Sequence, residues 1–267
     1  MSELASSPSD TAGLVTVSRS GRILRCVVTS GRATLDFDAV REVTAALRAL
    51  EPDVGAVLLA GEGQFCVGAD VGDLSAVSAE EADPRPAVRA LAGALHDLVR
   101  ALVEVPVPVV AAVRGWAAGA GMSLALAADV AVAGMSTRLR PAYPAIGLSP
   151  DGGLTWTLPR AVGPARARHI LLTDRVIAAD EALALGLVAV VVADDDVAAE
   201  AQALAQRLAD GPVRALGRTK QLLRAGGVRD LGEQLDAEAH AIAESVADAE
   251  GQEGIAAFRE RRPPEFG

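Results

Sequence analysis

Three glycine-rich segments hold the residues of this chain whose types and spacing could do chemistry. The first, residues 61–74 (GEGQFCVGADVGDL), carries Ala69 and Asp70 just beyond a short apolar run. The second, residues 105–129 (VPVPVVAAVRGWAAGAGMSLALAAD), passes from a β-branched stretch through Gly115, Gly119 and Gly121 into a small-residue helix beginning at Ala120. The third, residues 149–153 (SPDGG), sets the carboxylate of Asp151 in a turn. A strand that feeds a small-residue turn and then a helix leaves backbone N–H groups pointing at whatever sits above the strand's end, which suits a developing negative charge. Glycine and alanine at these positions serve close packing equally well.

Other chemistries find less support. Cys26 and Cys66 are too few for a disulfide framework, and neither belongs to a paired metal motif. His96, His169 and His240 lack a ligand spacing, so no metal site is expected. The formal net charge is −10, from 25 basic and 35 acidic residues, which disfavours nucleic-acid binding through bulk charge. Lys220 is the one lysine, so most groups able to hold an anion are guanidinium. Hydrophobic residues make up 51% of the chain and aromatics 3%, so the core must be built from Ala, Val and Leu in closely packed elements. Residues 1–12 are polar and acidic with no apolar stretch, and read as a disordered leader rather than a signal peptide. Arg114, the glycines and Asp129 break the apolar run near residue 110, so no membrane span is expected and the protein is read as cytoplasmic.

The elements that must position these segments follow from periodicity and turn chemistry. Strands are predicted at 14–18 and 23–29, joined at Ser20 and Gly21, then at 55–60, 107–113, 130–133 and 188–192. Helices are predicted at 38–50 (capped by Asp36 or Asp38), 87–103, 120–128, 154–162, 164–172 and 179–185. Residues 75–86 read as a mobile acidic segment, and 136–148 as irregular. Beyond an acidic turn at 194–196 only helices are predicted, at 197–209, 213–224, 231–249 and 250–259. The chain therefore divides into an α/β core at 13–195 and a helical region at 196–267.

Residues 61–70 (GEGQFCVGAD), 108–133 (PVVAAVRGWAAGAGMSLALAADVAVA), 146–167 (IGLSPDGGLTWTLPRAVGPARA) and the ending 253–266 (EGIAAFRERRPPEF) together resemble the enoyl-CoA hydratase/isomerase, or crotonase, family. The resemblance covers roughly residues 14–266. It implies an α/β spiral of ββα units with a C-terminal helical trimerisation region, giving a homotrimer or a dimer of trimers. It implies acyl-CoA thioester substrates, with coenzyme A part of the substrate and no permanently bound cofactor. In such enzymes two backbone N–H groups hold the thioester oxygen as an enolate forms. Carried onto this chain they fall at Ala69 and Ala120, with Gly68, Gly119 and Gly121 clearing space. Preorganised donors of this kind stabilise charge that grows during the reaction. Trp116, Tyr143 and His96 are expected to line the substrate, and Arg32 with Lys220 or Arg224 to meet coenzyme A phosphates.

The chain departs from the family's hydratases at both of their catalytic glutamates. Ser123 and Tyr143 occupy the matching positions, and neither serves as a carboxylate base near neutral pH. Asp151 remains. Several isomerases of the family place a functional aspartate there, and one base suffices to remove a proton and return it at another carbon. A P-D-G-G turn whose aspartate merely caps the next helix explains the same residues. The expected activity is enoyl-CoA double-bond isomerisation through Asp151. A hydratase using other groups and a non-catalytic thioester-binding or scaffold protein are the alternatives.

Overall fold

The computed structural model describes residues 16–70 and 83–266. The expected leader, the start of the first strand and most of the acidic segment at 75–86 lie outside the described residues. β1 (Val17–Ser20) and β2 (Ile23–Val27) form an antiparallel hairpin. α1 (Phe37–Arg48) starts at Asp36, the operative one of the two candidate caps. Its carboxylate accepts from the N–H of Asp38 at 2.9 Å and of Ala39 at 3.1 Å.

β3 (Ala56–Ala60), α2 (Arg85–Glu104), β4 (Val109–Val113), β5 (Trp116–Ala118), α3 (Ala120–Ala127), β6 (Val130–Gly134) and β7 (Arg138–Arg140) follow. Then come α4 (Leu154–Val162), α5 (Pro164–Leu172), β8 (Ile177–Ala178), α6 (Ala179–Ala184) and β9 (Val190–Val192). The chain closes on α7 (Val197–Ala209), α8 (Val213–Gly226), α9 (Leu231–Ala247) and α10 (Ala249–Glu260).

One sheet has the order β1-β2-β3-β4-β6-β9, parallel throughout except for the first hairpin. Every residue of β3 and β4 is buried, as a parallel strand covered on both faces requires. Alternation divides the two covers. Ala56, Leu58, Ala60, Val110, Ala112 and Val132 pack against Val197, Ala201, Ala205 and Ala209, a row at four-residue spacing along α7. Backbone and helix meet closely there: a methyl group on Gly55 would stand 2.7 Å from the Ala209 carbonyl oxygen. Val57, Leu59, Val109, Ala111 and Val113 face the other, larger core with Leu95, Leu98 and Leu102 of α2 and Met122 and Leu124 of α3.

A second sheet, β5-β7-β8, crosses the region read from sequence as turn and irregular chain. Trp116, Ala117 and Ala118 pair in parallel with Arg138, Leu139 and Arg140. Three residues are too few to display a period of two, and their partners lie on a different stretch of chain, so neither strand has a local signature. Among the described residues no helix is long and apolar enough to cross a membrane.

Candidate active site

The second sheet brings the first two glycine-rich segments together. Cys66 bridges Ala117 in parallel, its N–H donates to Trp116 O at 3.1 Å, and Ala118 N–H donates to Cys66 O at 2.9 Å. α3 starts directly against this segment, since a methyl group on Gly121 would lie 2.0 Å from Cys66 O. Gly119 makes the turn at φ +56°, a backbone that side-chain-bearing residues rarely adopt, and its N–H donates to Arg140 O at 3.0 Å. Ala120 is the first residue of α3, so its N–H lacks an i−4 carbonyl and projects from the positive end of the helix. Gly68 faces it, at a φ of +95°: a methyl group there would stand 3.8 Å from Ala120 N. Ala69 directly follows Gly68, so the two stretches expected to carry carbonyl donors meet.

Asp151 lies beside this junction and does not cap α4. That helix starts at Gly153 with no side-chain cap. The Asp151 carboxylate instead accepts a hydrogen bond from the Tyr143 hydroxyl at 2.6 Å. Burial, then the Asp151 charge, pushes the Tyr143 phenol well above its usual range, so it stays protonated and donates. The Tyr143 ring reaches the turn, since a methyl group on Gly119 would come within 4.0 Å of Tyr143 Cζ. Asp174 holds the chain leading to Tyr143. It accepts from the Arg140 side chain, with Nε at 3.0 Å, and from Ala142 N–H at 2.7 Å.

Ser123 and His96 complete the group. Ser123 is fully buried, and its hydroxyl donates to the Asp151 carbonyl oxygen at 3.1 Å. Gly152 packs on it so closely that a methyl group at 152 would be 2.7 Å from Ser123 Cβ. A glutamate at position 123 would need the space that this turn fills. The N–H of Gly152 donates to His96 Nε2 at 3.2 Å. The structure therefore brings Gly68, Ala69, Gly119, Ala120, Gly121, Tyr143, Asp151, Ser123 and His96 to one place, from four separated stretches of chain.

The remaining candidates stand elsewhere. Arg32 and Trp116 share a groove of about 760 Å³ with Gln64 and Arg114. Arg32 is largely exposed and pairs with Asp70 at 3.3 Å. Lys220 departs from its expected place on a phosphate. Its side chain is buried, and its ammonium group donates to Leu102 O at 2.8 Å and Val107 O at 3.2 Å and pairs with Asp129 at 2.8 Å. Three partners occupy its three hydrogens, and Lys220 ties α8 to the core. Burial holds its pKa below the usual lysine value, against the pull of Asp129. Arg224 pairs with Glu104 at 3.6 Å. Burial pushes the Cys66 thiol up to about 12, so it is no nucleophile at neutral pH. Among the described residues no cluster of His, Cys, Asp and Glu is placed to hold a metal ion.

A helix start, a facing glycine turn and a carboxylate thus lie together, an arrangement able to hold a carbonyl that takes on negative charge. Comparison with known proteins gives the family. The enoyl-CoA hydratase/isomerase profile matches residues 31–267, and the chain belongs to that family. A "probable enoyl-CoA hydratase" of Rhodobacter capsulatus is 41% identical over 233 residues, covering 84% of this chain and 86% of that protein. The 1,2-epoxyphenylacetyl-CoA isomerase of Escherichia coli is 37% identical over 224 residues, covering 82% of this chain and 84% of that protein. The crystal structure of an enoyl-CoA hydratase from Polaromonas sp. JS666 superposes with a TM-score of 0.88 at 33% identity, covering 94% of this chain and 98% of that one.

Proposed function

We propose that the protein is an enoyl-CoA double-bond isomerase in which Asp151 moves the proton and the N–H groups of Ala69 and Ala120 hold the oxygen. One observation carries the reading: the Asp151 carboxylate accepts from Tyr143, whose ring reaches the Gly119 turn, and makes no cap bond to α4. Starting from a 3-enoyl thioester, Asp151 takes a proton from C2. The C2–H electron pair forms a C1–C2 double bond and charge collects on the thioester oxygen between the two N–H groups. Asp151 then returns the proton at C4. The double bond comes to rest between C2 and C3, and the carboxylate is regenerated. Tyr143 holds Oδ1 throughout, leaving Oδ2 for the transfer.

The groove lined by Arg32 and Trp116 supports a path for the coenzyme A moiety, with Arg32 offered to a phosphate. Self-association as a homotrimer or dimer of trimers is supported by the apolar surface of the last helices, where Leu231, Leu235, Ile242 and Phe258 are exposed. The name of the Escherichia coli relative favours isomerase chemistry, whereas the Rhodobacter relative's name favours hydration. The absence of both hydratase glutamates weighs for isomerisation.

The test is Asp151→Asn, assayed by formation of the conjugated 2-enoyl thioester from a 3-enoyl thioester. Loss of a general base is expected to slow turnover by about 10²–10⁴-fold. An unchanged rate would remove Asp151 from the mechanism, and hydration without isomerisation by the wild type would replace this reading with the hydratase one.

A further inference from the structure

The peptide unit joining Asp151 to Gly152 is held at both ends by side chains from different helices. Its carbonyl oxygen accepts from Ser123 Oγ of α3 at 3.1 Å. Its N–H donates to His96 Nε2 of α2 at 3.2 Å. From these two contacts we infer that Ser123 and His96 are positioning residues for Asp151, a clamp on the peptide plane that aims its carboxylate. The inference rests on Asp151 being the proton carrier.

The geometry constrains both partners. A peptide plane has one rotational freedom on each side: ψ of Asp151 before it and φ of Gly152 after it. Gripping the oxygen from one helix and the N–H from another sets both. Gly152 is held at φ +60° and Gly153 follows at +80°, two consecutive glycine-favouring residues that would otherwise leave the turn loose. The carboxylate is two bonds beyond this backbone, so a rotation of the plane swings it relative to the Gly119 turn. Tyr143 restrains only the far end of that side chain.

Each partner is also suited chemically. Ser123 is fully buried, and its one hydroxyl proton has the Asp151 oxygen at 3.1 Å as its nearer acceptor and the Gly119 oxygen at 3.4 Å as its farther one, so its place at a position where hydratases carry glutamate becomes a supporting one. His96 receives an N–H at Nε2, which requires a neutral ring with its proton on Nδ1. A ring carrying hydrogen on Nε2 would set two donors against each other. Leu95, next to His96, packs at Gly152 beside Ser123, with Cδ2 3.4 Å from where a methyl group would stand. α2 thus meets the turn with an acceptor and an apolar wall side by side.

The experiment compares His96→Leu, His96→Gln and Ser123→Ala with the wild type, all as full-length protein. His96→Leu and Ser123→Ala are expected to lower kcat by about 10–100-fold, the scale of an ångström-level misplacement of a reacting group. KM is expected to stay within about two-fold, because both side chains are engaged with the Asp151–Gly152 peptide. His96→Gln keeps an acceptor and is expected to recover most of kcat. Equal losses in His96→Leu and His96→Gln, or no loss in either, would overturn the clamp. A second measurement is independent of turnover: nitrogen-15 NMR of the histidine rings, with His96 assigned by its disappearance in His96→Gln. The proton on Nδ1 and an accepting Nε2 supports the clamp, and the opposite tautomer overturns it. Asp151→Asn retaining full rate would defeat the isomerase reading instead, while the ring tautomer would still decide whether the clamp exists.

Discussion

Replacing Lys220 with methionine separates two roles for the one lysine of this chain. As a phosphate contact, its loss would weaken substrate binding and leave the fold alone. As an internal tie, its loss would do the reverse. The ammonium group reaches Leu102 O at 2.8 Å, Val107 O at 3.2 Å and Asp129 at 2.8 Å, with its side chain only 8% exposed. Asp129 also accepts from Val109 N–H at 2.7 Å, so the same carboxylate anchors the entry to β4, which runs on into the Gly119 turn. Asp129 is partly open to solvent and can be hydrated once Lys220 is gone, so the main cost is that of leaving the Leu102 and Val107 carbonyl oxygens without their donor, about 1–3 kcal/mol. For a chain of this size that lowers the melting temperature by about 2–12 °C, at roughly 2–4 °C per kcal/mol. The assay is thermal unfolding of Lys220→Met beside the wild type, together with KM for an acyl-CoA measured well below both transitions. The structure requires a measurable fall in melting temperature with KM changed less than about two-fold. An unchanged melting temperature with KM raised ten-fold or more would refute the argument and return Lys220 to the coenzyme.

Three further outcomes are expected. Gly121→Ala forces a methyl group to within 2.0 Å of Cys66 O, so it should lower stability by about 1–3 kcal/mol or more and depress kcat by displacing Ala120. Gly93→Ala, with open space around the added methyl, is its control and should leave both intact. Burial pushes both Cys26 and Cys66 up to about 12, so neither should react with an aromatic disulfide reagent at pH 8 until the protein is unfolded, and rapid native labelling would contradict their burial. Tyr143→Phe removes a hydrogen bond to a charged oxygen, of the class worth about 1.5–3 kcal/mol, and should lower kcat by about 10- to 100-fold without loss of fold, measured by initial rate and melting.

Much of the site was legible because it is backbone-built. Gly119 and Gly121 are glycines for different reasons, the first for its φ of +56° and the second for its close contact with Cys66 O. The parallel strands were legible from runs such as VVAAV, buried on both faces. What escaped was set by distant partners. β5 and β7 have no pattern of their own and exist because they pair with each other. Lys220 read as a phosphate contact, and only the folded chain brings Asp129 to it. Ser123 read as a missing glutamate, while the fold shows a hydroxyl under the Asp151 carbonyl. His96 read as a possible pocket wall, and its bond to Gly152 spans 56 residues of sequence. The PDGG turn left Asp151 two readings, and the absence of a side-chain cap on α4 decides against the capping one.

In the proposed isomerisation Asp151 transfers one proton to and from an enolate held by the N–H groups of Ala69 and Ala120. Incubation of wild type and Asp151→Asn with 3-enoyl and 2-enoyl thioesters in deuterium oxide tests it most directly, with isomer and isotope content read by mass spectrometry. The wild type is expected to interconvert the two thioesters, with solvent deuterium entering to the extent that the proton on Asp151 exchanges before its return, and Asp151→Asn to do neither. Folded wild-type protein that yields no isomer and no exchange from either thioester would contradict the account, as would exchange that persists in Asp151→Asn.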